Sequence, residues 1–394
     1  MSRFLFVVPP LTGHVNPTAS VGGELLARGH EVAWVGHPGT LKKLLPDNAR
    51  IFPAIDDALE ADIRAKRERW LALRGMAVLK FFWEEFLIPL GHSMVPGVEA
   101  AVRAFAPDVL VADQQALAGP VVAGEAGIPW VTSASTSAEL VNPLRTMPKV
   151  DAWVRDLLHD FAGGDVRFSD RLVLVYSSKA LVAGEFGDEV AFVGPALAHR
   201  VERVGFQWDW LVGAPAGVGT SGSEAERLGA AGQRCVLVSL GTLNGPAGER
   251  FLGQTLEALD SLPVRAVMVA EPRPAPANVL ILPSVPQLAL MPHLDAVVTH
   301  GGHNTVCEAL AHGLPLVVAP IRDDQPTVAA QVVEAGAGVR LTYSRARAAD
   351  IRSALESVLD EPEYAAAAGA VRDSFLAAGG AAAAADRLEK VVAG

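Results

Sequence analysis

The chain has 394 residues, half of them hydrophobic, and a formal net charge of -11 at neutral pH. That length suits two domains with a core each, and an acidic balance without a basic stripe argues against nucleic acid as a partner. The two cysteines, Cys235 and Cys307, lie in apolar stretches and argue against a disulfide framework; with Met1–Pro10 too short for a secretion signal and no apolar run approaching a bilayer span, a soluble cytoplasmic protein is expected.

The opening residues predict a β-α-β unit of a parallel sheet: a strand over Phe4–Val8, a loop over Pro9–Val15, a helix from the Asn16-Pro17 pair to Arg28, and a strand from His30. His14 then sits on a loop at the strand's carboxyl end, near a helix N-terminus. The helix dipole disfavours an imidazolium there, so the neutral ring is a candidate general base. Leu71–Val95 carries Met76, Phe81, Phe82, Trp83, Phe86 and Leu87, an aromatic stripe that reads equally as core or as one wall of an apolar pocket. Asp108–Ala112 predicts a buried strand that delivers Asp113 to the same sheet edge, where it is the candidate partner that fixes the tautomer of His14. Thr132–Glu139 supplies hydroxyls after a further strand, with Ser133 and Ser135 the candidates to meet a bound molecule.

Phe192–Pro195 reads as the exit of a first domain spanning 1–212, and 213–232 has linker composition. A second domain is expected over 233–375. Its strand Cys235–Leu240 ends in Ser239, Gly241 and Thr242, small and hydroxyl-bearing residues suited to phosphate. Pro283–Leu288 is a loop presenting Gln287 to the face and edge of a base. Leu294–Val298 predicts a strand and Asn304–His312 a helix closed by Gly313, so Thr299–Thr305 (T-H-G-G-H-N-T) joins a strand to a helix N-terminus. Gly301 and Gly302 let backbone N–H groups approach an anion, and the helix end adds unsatisfied donors and partial positive charge. A strand within Gly313–Pro320 leads to the polar loop Ile321–Pro326. In open parallel sheets ligands bind outside the carboxyl ends of strands, which brings these loops to one edge. The alanine-rich end breaks at Gly379 and Gly380.

The run V-P-Q, H-G-G-x-N-T, E-A-L-x-x-G-x-P and D-Q, with G-H-V-N-P near the start, resembles the signature of family 1 glycosyltransferases. The resemblance covers most of the chain. It implies the GT-B fold, α/β with two Rossmann-like parallel-sheet domains facing a central cleft and a last helix (376–394) returning to the first domain. It implies that His300, Gly302 and Thr305 meet a diphosphate, Glu308 the ribose, and Asp324 and Gln325 the sugar hydroxyls; Gly241, Val285, Gly301 and Asn304 complete the expected donor set. His14 held by Asp113 is the expected catalytic pair, and Gly13, Met76, Phe82, Trp83, Phe86, Ser133 and Ser135 the expected acceptor contacts. The implied enzyme resembles bacterial natural-product glycosyltransferases: a hydroxyl of a small lipophilic aglycone attacks the anomeric carbon of a TDP- or UDP-sugar, with inversion. Ser284 stands where plant relatives carry a base-stacking tryptophan, so either base remains open, and the family's asparagine soon after D-Q is absent.

No cofactor is expected beyond the co-substrate, and no metal, since the acidic pairs Asp56-Asp57 and Asp323-Asp324 lack metal-ligand spacing. Association as a homodimer is left open. A non-catalytic GT-B partner protein and a nucleotide-sugar epimerase are the alternatives; a dinucleotide dehydrogenase would need a G-x-G-x-x-G that Thr12-Gly13-His14 does not supply.

Overall fold

The computed structural model describes residues 1–73, 75–141, 144, 147–212, 233–241 and 246–393. The chain folds into two compact units, one of Met1–Ser178, Gly184–Val201 and Ala377–Gly394, the other of Lys179–Ala183 and Glu202–Leu376. The linker expected over 213–232 lies outside the described residues. The main segment of the second unit starts at Glu202, and Lys179–Ala183 also belongs to it, where the first domain was expected to run to residue 212. Trp208–Val212 is a short helix of that unit, and Arg265 stacks over the Trp210 ring while donating to its carbonyl.

The first unit is built on a parallel sheet of seven strands: β1 (Arg3–Val7), β2 (Glu31–Gly36), β3 (Arg50–Pro53), β4 (Val109–Asp113), β5 (Trp130–Ala134), β6 (Val173–Val175) and β7 (Val190–Phe192). They run in the order β3-β2-β1-β4-β5-β6-β7. Continuous apolar runs such as Phe4–Val8 are what a parallel strand covered on both faces requires. Alternate residues serve opposite faces: Leu5, Val7, Leu110 and Ala112 join one core, Phe4, Phe6, Val109 and Val111 the other. The closing helix Gly380–Ala393 completes the second of these cores with Ala381, Ala384, Ala385 and Leu388. Arg28 pins it through Asp386 (2.6 Å) and Glu389 (3.0 Å). Gly379 and Gly380 break the chain before it at φ of +90° and +62°, values that favour glycine.

The second unit repeats the plan with six parallel strands: β8 (Arg234–Ser239), β9 (Val264–Val269), β10 (Val279–Leu282), β11 (Ala296–Thr299), β12 (Leu316–Val318) and β13 (Gly338–Arg340), ordered β10-β9-β8-β11-β12-β13. Its core gathers Val236, Val238, Phe251, Met268, Val298 and Leu355.

One expected start is moved. The first helix is Thr12–Ala27, capped at Leu11, so Asn16 and Pro17 lie inside it instead of opening it. The backbone closes at once, His14 N–H and Val15 N–H both donating to the Leu11 carbonyl. Pro17 has no N–H for the ladder, but it and Val15 are buried, and that burial outweighs one missing bond. His14 is therefore a first-turn helical residue, not a loop residue.

Candidate active site

In both sheets the strand order reverses once about a central pair, between β1 and β4 in the first and between β8 and β11 in the second. At such a point the chains leave the two strands in opposite directions and open a crevice at their carboxyl ends. The residues expected to carry chemistry lie at these two points.

At the first, the helix after β1 brings His14 to Asp113, the last residue of β4. His14 Nδ1 lies 2.8 Å from Asp113 Oδ1, with the carboxylate side chain fully buried and the imidazole 16% exposed. The Gln115 backbone N–H donates to the same carboxylate oxygen at 2.9 Å. A carboxylate is an acceptor only, so Nδ1 carries the ring proton and Nε2 is the basic nitrogen. Ser135 Oγ lies 2.8 Å from the same Nδ1. Ser133 is turned to the Tyr176 hydroxyl at 2.9 Å, and burial holds that phenol well above its ordinary pKa. Gly13 precedes His14 in the first helical turn.

The aromatic stripe divides. Phe81–Leu87 forms a π-helical stretch, and Trp83 and Phe86, each 7% exposed, belong to the core. Phe82 stays half-buried against Trp70, Trp83 and Phe86, and Met76 is exposed. Gln114, which the sequence reading missed, is buried one residue past Asp113, with neither amide atom hydrogen-bonded among the described residues.

At the second point, His300 packs between two glycines. A Cβ on Gly241 would stand 2.8 Å from its Cε1, and one on Gly302 2.6 Å from its Nε2. Gly241 and Gly301 have φ of +74° and +87°. Gly302 caps the helix His303–Ala311 and brings no side-chain oxygen to its first turn, which contains Asn304 and Thr305 and no acidic residue. The dipole and open amides of such an end favour negative charge. Ser239 is buried at the end of β8. Thr242 lies outside the described residues.

Around this core, Gln287 donates to Glu308 and, at 3.4 Å, to Thr305 Oγ1, tying the loop after half-buried Val285 to the helix. Glu308 is 2% exposed. Gln325 Oε1 accepts from the backbone N–H groups of Ile321 (2.9 Å) and Arg322 (3.1 Å), which shapes the loop carrying half-buried Asp324. Glu202 was also missed: its carboxylate accepts from Leu288 N–H (2.8 Å) and Ala289 N–H (3.0 Å), capping the short helix that begins at Gln287. Losing a cap costs about 1 kcal/mol. Glu202→Ala is therefore expected to raise the KM for donor about three- to tenfold with kcat nearly unchanged, which steady-state kinetics at varied donor would check.

Burial holds His300 below the ordinary histidine pKa, against the nearby Asp324 carboxylate and a hydrogen bond to the Ser239 backbone. The folded state thus prefers the neutral ring, while the unfolded chain binds a proton near pH 6.5. This contribution to stability is full above about pH 6.5 and is lost as pH falls toward the depressed folded value. His312, also depressed by burial, acts with the same sign. Thermal midpoints are expected to fall from pH 7 to 5.5, with a shallower slope in His300→Gln; an unchanged slope would remove His300 from this role.

No helix among the described residues is long and apolar enough to cross a membrane. The sequence profile of the UDP-glucoronosyl and UDP-glucosyl transferase family matches residues 221–371. The chain is 30% identical to a 4'-demethylrebeccamycin synthase of Lentzea aerocolonigenes over 99% of its own length and 100% of the relative's. It is 27% identical to a demethyllactenocin mycarosyltransferase of Streptomyces fradiae, covering 99% of this chain and 86% of that one. The crystallised glycotransferase of kitacinnamycin superposes with a TM-score of 0.72 at 25% identity over 99% of both chains.

Proposed function

We propose, since the chain belongs to the UDP-glucoronosyl and UDP-glucosyl transferase family and is a GT-B glycosyltransferase, that it moves a sugar from a nucleoside diphosphate to a hydroxyl of a small lipophilic natural product, with inversion. The observation that carries this reading is the buried Asp113 carboxylate 2.8 Å from His14 Nδ1. It makes Nε2 the basic nitrogen at the switch point of the first sheet.

In this scheme His14 Nε2 takes the proton of the acceptor hydroxyl as its oxygen bonds to the anomeric carbon. The bond from that carbon to the phosphate oxygen breaks on the opposite face, and the nucleoside diphosphate leaves with the electron pair. Asp113 stabilises the imidazolium as it forms. The departing charge is met by the amides of Gly302–Thr305, with Gln287 and Glu308 holding the nucleoside and Asp324 and Gln325 the sugar. Phe82 and Met76 offer apolar surface to the acceptor. The scheme asks for no metal and no cofactor.

The names of two relatives support the substrate class, one a mycarosyltransferase acting on demethyllactenocin, the other a demethylrebeccamycin synthase. The test is incubation with TDP- or UDP-α-glucose and a panel of phenolic and macrolide acceptors, the product read by mass and by its anomeric proton coupling. A β-glucoside is expected; an α-glucoside would overturn the direct displacement.

A further inference from the structure

We infer that Ser135 is a positioning residue of the base, a second acceptor for the Nδ1 proton of His14 alongside Asp113. The inference rests on the reading of His14 as base and adds to it a residue that sequence placed among acceptor contacts.

The geometry leaves little freedom. Two oxygens, Asp113 Oδ1 and Ser135 Oγ, each stand 2.8 Å from one nitrogen. The nitrogen can carry one hydrogen, the carboxylate none, and the serine hydroxyl can either donate or accept. If Ser135 donated to Nδ1, the nitrogen's lone pair would face the buried Asp113 carboxylate, a repulsion between two acceptors. With the proton on Nδ1, both oxygens accept it in a three-centre bond. Ser135 makes no other hydrogen bond among the described residues, and at 4% exposure it is held against the ring by packing, not by solvent.

The register explains the meeting. β4 and β5 pair with Asp113 opposite Ser133, so Ser135 continues one pleat beyond, on the same face as Asp113. Ser133 on that face is occupied by Tyr176, which leaves Ser135 to the imidazole. The two contacts, one from the last residue of β4 and one from the bend just after β5, fix the ring plane, and both strengthen when Nε2 accepts a proton and the ring becomes cationic. Ser135 thus favours the imidazolium and holds the ring in one orientation.

Among the described residues Asp113 from β4 contacts the ring directly, and Tyr176 beyond β6, held as a neutral phenol by burial, is reached through Ser133. Removing the Ser135 oxygen therefore leaves Asp113 as the charged partner in place. The test needs no substrate: proton NMR titration of the His14 ring, assigned by its loss in His14→Gln, in wild type, Ser135→Ala and Ser135→Thr. A hydrogen bond worth about 1 kcal/mol corresponds to somewhat under one pH unit. The midpoint in Ser135→Ala is expected to fall by about half to one unit and to return in Ser135→Thr, which keeps the hydroxyl. Kinetically, Ser135→Ala should lower kcat about three- to tenfold with both KM values unchanged.

An unmoved His14 midpoint in Ser135→Ala would overturn the inference, as would a raised acceptor KM with kcat intact, the signature of a substrate contact. Those outcomes leave His14 as base untouched. Substantial turnover in His14→Ala would instead remove the reading on which the inference rests, whatever the titration shows.

Discussion

Replacing His14 with alanine is expected to lower turnover by about two to four orders of magnitude while leaving nucleoside diphosphate affinity unchanged. The size follows from the role: without Nε2 the acceptor hydroxyl must attack while still protonated. The selectivity follows from the chain, because His14 belongs to the first unit and the residues expected to hold the diphosphate belong to the second. Asp113→Asn should lose about a hundredfold or more, since its amide can donate to Nδ1 and so favour the tautomer with the proton on Nε2. Single-turnover rates with saturating donor, beside calorimetric titration of the diphosphate, separate the two quantities. A His14→Ala enzyme that kept a tenth of its rate would not have lost its base.

Gly302→Ala should do the reverse. At φ -61° the backbone accepts alanine, so the effect is one of space. The new Cβ would stand 2.6 Å from Nε2 of the His300 ring, which is buried and also lies close to Gly241. Either the imidazole or the Gly302–Thr305 backbone shifts, and one or two amide contacts to phosphate are lost. Charge-assisted contacts are worth about 1.5–3 kcal/mol each, so donor affinity is expected to fall about tenfold to a hundredfold or more. Titration of UDP and TDP into the variant measures this, with the thermal midpoint confirming that the unit remains folded. Affinity within twofold of wild type would place the diphosphate elsewhere.

What could be read in advance divides along physical lines. The strands that carry the candidate site were legible because a parallel strand covered on both faces is a short unbroken apolar run, as Phe4–Val8 and Val236–Val238 show, whereas β3, β6, β9, β10 and β13 were not anticipated. The turn residues after β1, β4, β8 and β11 were legible because glycine, histidine and aspartate interrupt those runs abruptly. The Asn16-Pro17 pair misled, because its cap-and-proline signal is local while the helix start was decided by burying Val15. Trp83 and Phe86 could not be sorted from Phe82 by spacing, since a π-helical stretch departs from the period on which a stripe is judged. Ser135 and Glu202 act across 121 and 86 residues respectively, and no local pattern marks a contact made only by folding.

On the proposed reading, Gly302–Thr305 holds a nucleoside diphosphate independently of His14. Calorimetric titration of UDP and of TDP, without added metal, into wild type, His14→Ala and Gly302→Ala tests it most directly. At least one nucleotide is expected to bind, equally in wild type and His14→Ala and far more weakly in Gly302→Ala. Binding of neither nucleotide to the wild type, or equal binding to all three proteins, would contradict it.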